Sequence, residues 1–522
     1  MNRHLVVRSA ASAVLAMTAA CRRPQQAGVA TQPAQATPGL ELAFTIRPVR
    51  DGGAEVVAAA VHEEIRGTLD QTARPFTLRA PIVFTSRRGI ADRIDSLLVR
   101  DASGAVPLVV QNDPEDPSGY TYYRHWRAER VVHPPVIVTY RMHPVAKPTG
   151  GPQYEFYAHG GGISGHGSQI FVLPESLGTA NIELKWDLRE LAPGSTAVTS
   201  LGEGDVRLRG RPDTLVSPFF LAGPLGRYEP PKANTGFFAY WLGQAEYDSK
   251  QEMQWLYQAY ENMRSFYHDP SSTPYRVFLR AVGRGGGTAS GRSFMGAVPA
   301  GNGDSTKRAP RVTIAHEIGH YFVGGLRGGP PGATPWYGEG VNTHYTRLLL
   351  LRAGLIPVAD YLAEINGYAR GYYTNPYRNF TADSIRLIGY STGFGGASAQ
   401  NLAYTRGSLF WSDIDKSIRD ASGGRRKFDD VIVPLLVASR QGQPLTQDVL
   451  FAALAKELGP SFRERFDAAI TRGETLVPAS GAFGPCLERK DTTYTVQGNN
   501  STVPGYVWSR VPSLPDEECR KW

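Results

Sequence analysis

The sequence predicts an α+β protein: an N-terminal β-sandwich-like domain, then a mixed α/β lobe and a helical second lobe. Three observations lead there. Between Leu40 and Ala222, short apolar or alternating runs recur between Gly, Pro and Asp turns, the mark of a sandwich. After Pro230 the apolar spacing lengthens to three and four residues, the period of a helix. At 522 residues the chain is also too long for one core.

The N-terminal residues 1–21 read as a signal peptide. Arg3, His4 and Arg8 precede an apolar stretch from Ala10 to Ala20 that ends in small residues and is too short to span a bilayer. Thr18-Ala19-Ala20-Cys21 resembles a bacterial lipoprotein box, with Thr18 standing where Leu or Val is usual. Two outcomes stay open: lipidation of Cys21 with anchoring in a bacterial cell envelope, or a plain secretory cut. Either exports the chain. Residues 22–39, rich in Pro, Gln, Ala and Thr, form a linker. Setting Cys21 aside leaves Cys486 and Cys519, which could close a disulfide in an oxidising compartment.

Residues 40–222 carry the β signal, in runs such as AEVVAAAV, FTLRAPIVF, VVHPPVIVTYRM and ANIELKWDL. Within them His159 and His166 bracket HGGGISGHG. No carboxylate or thiol completes a metal set there, so the stretch reads as a loop. Residues 223–356 form the α/β lobe. Met253, Leu256, Tyr257, Tyr260 and Met263 give Glu246–Tyr267 a helical face, and the strands YRVFLRAV and SFMGAV flank a glycine-rich turn. Residues 357–477 are mostly helical, and 478–522 form a polar, turn-rich tail. The formal charge of +8 could suggest a nucleic-acid partner, but Lys and Arg are scattered among acids. The densest basic run, Arg425-Arg426-Lys427, is short, so a mildly basic surface is expected and no nucleic-acid binding.

The segment RVTIAHEIGHYFVGG carries the chemistry. Val312, Ile314, Ala315, Ile318, Phe322 and Val323 support a helix, and Gly324-Gly325 stops it. On that helix His316 and His320 stand one turn apart, so both imidazoles can reach a single ion. Zinc suits nitrogen and carboxylate donors, and Glu317 beside the first ligand is placed to take a proton from water. Glu339 follows His320 after eighteen intervening residues, opens a second helix and offers a third ligand.

HEIGH followed by Trp336-x-x-Glu339-Gly340 resembles the gluzincins, the thermolysin-like zinc peptidases with two His and one Glu. Within them the chain most resembles the glycyl aminopeptidase family, which joins an N-terminal β domain to a thermolysin-like catalytic domain. Tyr404-x-Arg406-Gly407, Asp415-Lys416-x-Ile418-Arg419, Phe428-Asp429-Asp430-Val431 and FRERFDAAITRGETLVP extend the resemblance through the helical lobe. It implies one zinc ion on His316, His320 and Glu339, with Glu317 as base. It also implies that the Tyr404 hydroxyl stabilises the oxyanion formed at the scissile carbonyl. The expected partner is a peptide bound between the lobes and paired with SFMGAV as an edge strand.

Three positions depart from the family. Where its turn usually reads Gly-Gly-x-Glu-His, this chain has Gly286-Gly287-Thr288-Ala289-Ser290, which leaves aminopeptidase and endopeptidase action both open. Thr343 replaces the Asp that orients a zinc-binding His, and neighbouring His344 reads as structural. The residues after Pro478 leave no room for the family's common PDZ domain. The expectation is an exported zinc metallopeptidase. Its rival is a non-catalytic cell-envelope scaffold retaining a zinc site, which would be closed by four protein ligands and would not need Glu317.

Overall fold

The structure, a computed structural model, describes residues 39–522 except 54, 86, 116–120, 147–152, 232–235, 284–285, 329–333, 390–393 and 497–500. The signal segment, the linker before Gly39 and Cys21 therefore lie outside the described residues. The expected α+β fold is observed: a β-rich region is followed by a mixed sheet and then helices.

Alternation builds the β-rich region. In Glu41–Arg50, Leu42, Phe44 and Ile46 turn inward, and in Val136–Met142 so do Val136, Val138, Tyr140 and Met142. These strands belong to a seven-stranded sheet, antiparallel except where Glu41–Arg50 runs parallel to Ala180–Trp186. A four-stranded sheet containing Thr77–Val83 and Tyr122–Ala128 contributes Leu78 and Trp126 to the same core, giving the expected sandwich.

One inward position breaks the alternation rule. Glu63, on Val56–Arg66, is fully buried, and neither carboxylate oxygen has a hydrogen-bond partner among the described residues. Burial holds its carboxyl well above the ordinary carboxylate range. Between the unfolded-state pKa and this raised native one, the folded chain binds more protons than the unfolded chain, so stability falls as pH rises. Glu63→Gln is therefore expected to raise the Tm at about pH 8 and to make little difference near about pH 4. Parallel thermal melts at the two pH values check this, and an equal gap at both would contradict it.

The stretch expected as a loop around His159 and His166 is a hairpin. Tyr157–His159 pairs with Gly162–His166 across Gly160 and Gly161, whose φ angles of 57° and 75° are those a tight primed turn demands. Both imidazoles are spent on local hydroxyls, His159 with Ser164 at 2.9 Å and His166 with Ser168 at 2.9 Å. Burial pushes both rings down to about 3 and keeps them neutral.

That hairpin lies in a five-stranded sheet with Phe219–Gly223. Phe219 and Leu221 pack on Tyr240, Phe278 and Met295 of a further five-stranded sheet, so the two sheets share an apolar joint. The latter runs Gly226–Tyr228, Phe237–Leu242, Tyr275–Ala281, Ser293–Val298, Gly286–Ser290. This order corrects one expectation. Ser293–Val298 (SFMGAV) is an inner strand, buried along its whole length, and the edge is Gly286–Ser290, paired antiparallel to it. The two glycines hide a strand that then reverses at Gly291, where φ is 56°.

Nine helices matter here: α1 (Ser249–Phe266), α2 (Arg311–Val323), α3 (Pro335–Arg352), α4 (Val358–Tyr373), α5 (Ala382–Gly389), α6 (Phe394–Ala421), α7 (Asp429–Arg440), α8 (Gln447–Leu458) and α9 (Ser461–Phe466). Asp248 caps α1 by accepting the N–H groups of Lys250 and Gln251 at 2.9 and 3.1 Å. The centre is α3, packed between α2 and α6 by missing side chains. A Cβ on Gly319 of α2 would stand 2.0 Å from Asn342 Oδ1, and one on Gly340 of α3 would stand 2.7 Å from Gly407 Cα of α6. These contacts let the helices approach near Glu339.

The stretch expected as a tail is also structured. Leu487–Thr495 and Thr502–Arg510 form a hairpin against α4, with Tyr494 and Tyr506 on the ring of Tyr373. Asn366 clamps Trp508 through both backbone groups, at 2.9 and 2.8 Å. Its solvent-facing Glu, Lys and Asp residues masked the strands in the sequence. Cys486 and Cys519 are joined in a disulfide, with Cα atoms 5.4 Å apart. Among the described residues, no helix is long and apolar enough to cross a membrane.

Candidate metal centre

The motif helix α2 presents Ile314, Ala315, Ile318 and Phe322 to the core, which leaves His316 and His320 one turn apart on another face. Gly324, at φ 60°, ends it and donates its N–H to the His320 carbonyl at 2.9 Å. Pro335 opens α3 with no N–H to waste, and Glu339 follows about one turn later. The helix crossing then aims Glu339 Oε2 at both imidazoles, 3.1 Å from His316 Nε2 and 3.2 Å from His320 Nε2. One ligand atom from each of the three residues falls within 4.8 Å of the others, a group able to hold a metal ion.

Neighbours fix this arrangement. Asn342 Nδ2 donates to the His316 carbonyl at 2.7 Å, while its Oδ1 accepts from Thr346 Oγ1 at 3.3 Å. That tie locks α2 to α3 at the height of the first ligand. Thr343 is fully buried, and its Oγ1 has no partner among the described residues, so it does not replace an orienting carboxylate by any hydrogen bond seen here. His344 stays away from the ligand group. Its ring packs with Tyr345 and Trp522, and burial pushes it down to about 4.

Metal ligation needs neutral imidazole and ionised carboxylate, and the electrostatics of His316 and Glu339 already meet that need. Burial brings His316 down to about 4, against the pull of Glu339. Burial would lower His320 too, but Glu339 and Glu317 carry it upward. Glu339 is buried, yet hydrogen bonds from both imidazoles hold it ionised, well below the usual carboxylate range. Glu317 behaves differently. Burial lifts it to about 7, opposed by His320 and by a hydrogen bond from the Ala289 N–H of the edge strand, and assisted by Glu339. A carboxyl poised there can accept and return a proton near neutral pH.

Tyr404 comes from α6. Its ring lies 5.5 Å from the His316 ring, centroid to centroid. Burial, with the charges of Glu339 and Glu317, holds its phenol protonated far above its ordinary range, so it keeps an O–H to donate. Glu317, His320, Glu339 and Tyr404 line one cleft of about 440 Å³, together with Gly287, Thr288, Ala289 and Gly291 of the edge hairpin. Tyr154, Tyr321 and Gly324 complete its lining. The structure thus gathers His316, Glu317, His320, Glu339 and Tyr404 at one place and puts Cys486 and Cys519 elsewhere. Sequence reasoning missed Tyr154 and Tyr321. Tyr321 adjoins the motif and could have been suspected, whereas Tyr154 arrives from the β region through tertiary packing alone.

No protein-family model matches the chain, and no curated protein matches it. Solved structures do. An aminopeptidase N family protein from Idiomarina loihiensis superposes with a TM-score of 0.70 at 16% identity, covering 88% of this chain and 81% of that one. The chain shares that protein's fold. An M1 zinc metallopeptidase from Deinococcus radiodurans, a mutant bound to a Tyr-Ser-Ala substrate, matches at a TM-score of 0.49 and 13% identity, over 84% and 96% of the chains. Yeast LTA4 hydrolase with bestatin matches at 0.48 and 13%, over 85% and 69%. The likeness to the Idiomarina loihiensis protein establishes the two-part fold of a β-rich region and a helical region, and at 16% identity it establishes the fold alone.

Proposed function

We propose that this chain is an exported, zinc-dependent peptidase of the thermolysin-like type, nearest in motif to the glycyl aminopeptidases. A single observation carries the reading: two imidazoles, one ionised carboxylate, a poised carboxyl and a protonated tyrosine converge in a cleft beside an open sheet edge. The donor set fits zinc, which takes imidazole nitrogen and carboxylate oxygen and, with three protein ligands, keeps a position for reaction. His316, His320 and Glu339 would hold it. When bound, zinc supplies a Lewis acid that polarises the scissile carbonyl and makes water nucleophilic at neutral pH.

The chain's own groups do the rest. The edge strand Gly286–Ser290 offers backbone groups along which an extended peptide can lie. Glu317 takes the proton from the attacking water and returns it to the leaving amine. Tyr404 donates a hydrogen bond to the oxyanion as charge grows on the carbonyl oxygen. Opening of the ligand group into a cleft that also holds Glu317 favours this over a closed structural site. Export is supported by the signal-like N-terminus and agrees with the Cys486–Cys519 bond.

Digestion of a mixed peptide library, read by mass spectrometry with and without a chelator, tests the reading. Cuts that vanish with the chelator and return with zinc are expected. A folded, zinc-loaded protein that makes no cuts would overturn it. In the same assay Tyr404→Phe is expected to lower kcat about 100- to 1,000-fold with KM little changed, since its hydrogen bond forms only in the transition state. A raised KM with unchanged kcat would assign Tyr404 to binding instead.

A further inference from the structure

One residue of the cleft is foreign to the catalytic lobe. Tyr154 belongs to the β-rich region, just before Tyr157–His159, yet it lines the cleft with Thr288, Glu317 and Tyr404. Its ring is pinned by three others, at centroid distances of 5.4 Å to Phe84, 4.8 Å to His166 and 6.3 Å to Phe219.

The residues on both sides of Tyr154 are gripped by one buried cation. Arg280, fully buried on Tyr275–Ala281, donates Nε and Nη2 to Gln153 Oε1 at 3.1 and 2.7 Å, and Nη1 to the Glu155 carbonyl at 2.7 Å. Its guanidinium also lies 4.3 Å over the Tyr157 ring. Gln153 N–H donates in turn to Thr288 Oγ1 on the edge strand at 2.8 Å. Burying a guanidinium is costly unless its N–H groups are used, and here they are used to fix the backbone around the half-buried Tyr154 ring. The charged groups lining the cleft among the described residues are Glu317, His320 and Glu339, all at the ligand group. Away from them, a side chain lying by Tyr154 meets an aromatic ring, Thr288 and small residues.

Building on the peptidase reading, we propose that Tyr154 forms the wall of a subsite for an aromatic or large aliphatic side chain next to the scissile bond, and that Arg280 is its positioning residue. Selectivity at this cleft is then set across the joint between the two regions. The ring stacks on the substrate side chain, and Arg280 keeps it from swinging away from the edge strand.

The test uses zinc-loaded Glu317→Gln protein, which should bind peptides without cutting them. Its substrates are a pair of fluorescent peptides taken from a cut site found in the library, differing only by Phe or Ala at the residue flanking the cut. The Phe peptide is expected to bind more tightly, and Tyr154→Ala to shrink that preference roughly tenfold while Tyr154→Phe keeps it. Arg280→Met is expected to shrink it likewise and Arg280→Lys to restore part of it. In the active protein the same loss should appear in KM for the Phe peptide and leave kcat for the Ala peptide alone. If Arg280→Met does not fold, Gln153→Ala serves as the second perturbation of the same grip. A preference that survives Tyr154→Ala, or a parent that cuts peptides with no Phe preference, overturns this inference and leaves the peptidase reading standing. A parent that neither cuts nor binds peptides removes both.

Discussion

Glu317→Gln is expected to lower kcat by about three to four orders of magnitude while the zinc content stays that of the wild type. General base and acid catalysis by a placed carboxyl is worth about 100- to 10,000-fold, and here one group serves both proton transfers. Glutamine keeps the shape and the hydrogen bond from the Ala289 N–H but cannot take a proton. Burial lifts Glu317 to about 7, while His320 and the Ala289 N–H pull it toward the ionised form in which it accepts the first proton. The zinc group does not include Glu317, so metal binding gives an internal control. Peptide turnover beside metal analysis checks this. Loss of both together would mean that Glu317 supports the metal rather than the chemistry.

Glu339→Ala is expected to weaken zinc binding by several hundredfold and to abolish turnover at low zinc. Structural zinc sites gain about 10–16 kcal/mol, shared among four ligands, so one ligand is worth about 2.5–4 kcal/mol. Glu339 also bridges both imidazoles through one carboxylate oxygen, at 3.1 and 3.2 Å, so its removal leaves two buried rings without their counter-charge. Competition with a chromogenic chelator measures the affinity. An unchanged affinity would place the third ligand elsewhere.

The ligand group was legible in the sequence because its geometry is local. The spacing of His316 and His320 dictates one face of a helix, and Glu339 opens the next helix after a short return. What places Glu339 against them was not legible. It depends on Gly319 letting Asn342 approach and on Gly340 meeting Gly407, contacts that exist only once the helices pack. The β-rich region was readable for a similar reason, since alternation marks half-buried strands. Glycine-rich and charged strands escaped, as with Gly286–Ser290 and the hairpin Leu487–Arg510, whose side chains give no apolar period. Mistaking Ser293–Val298 for the edge followed directly, because an unbroken apolar run fits an inner strand and the weak neighbour that covers it went unseen. Tyr154 and Arg280 lie far apart in sequence from each other and from the motif, so only the tertiary joint brings them to the cleft.

The most direct test titrates zinc into metal-free protein from residue 22 onward and follows bound metal and peptide cleavage in the same samples. Cleavage should rise in proportion to occupancy and stop at one equivalent, with His316→Ala protein flat in both readouts. Stoichiometric zinc binding at His316, His320 and Glu339 with no cleavage of any peptide, or cleavage indifferent to zinc, would contradict the assignment.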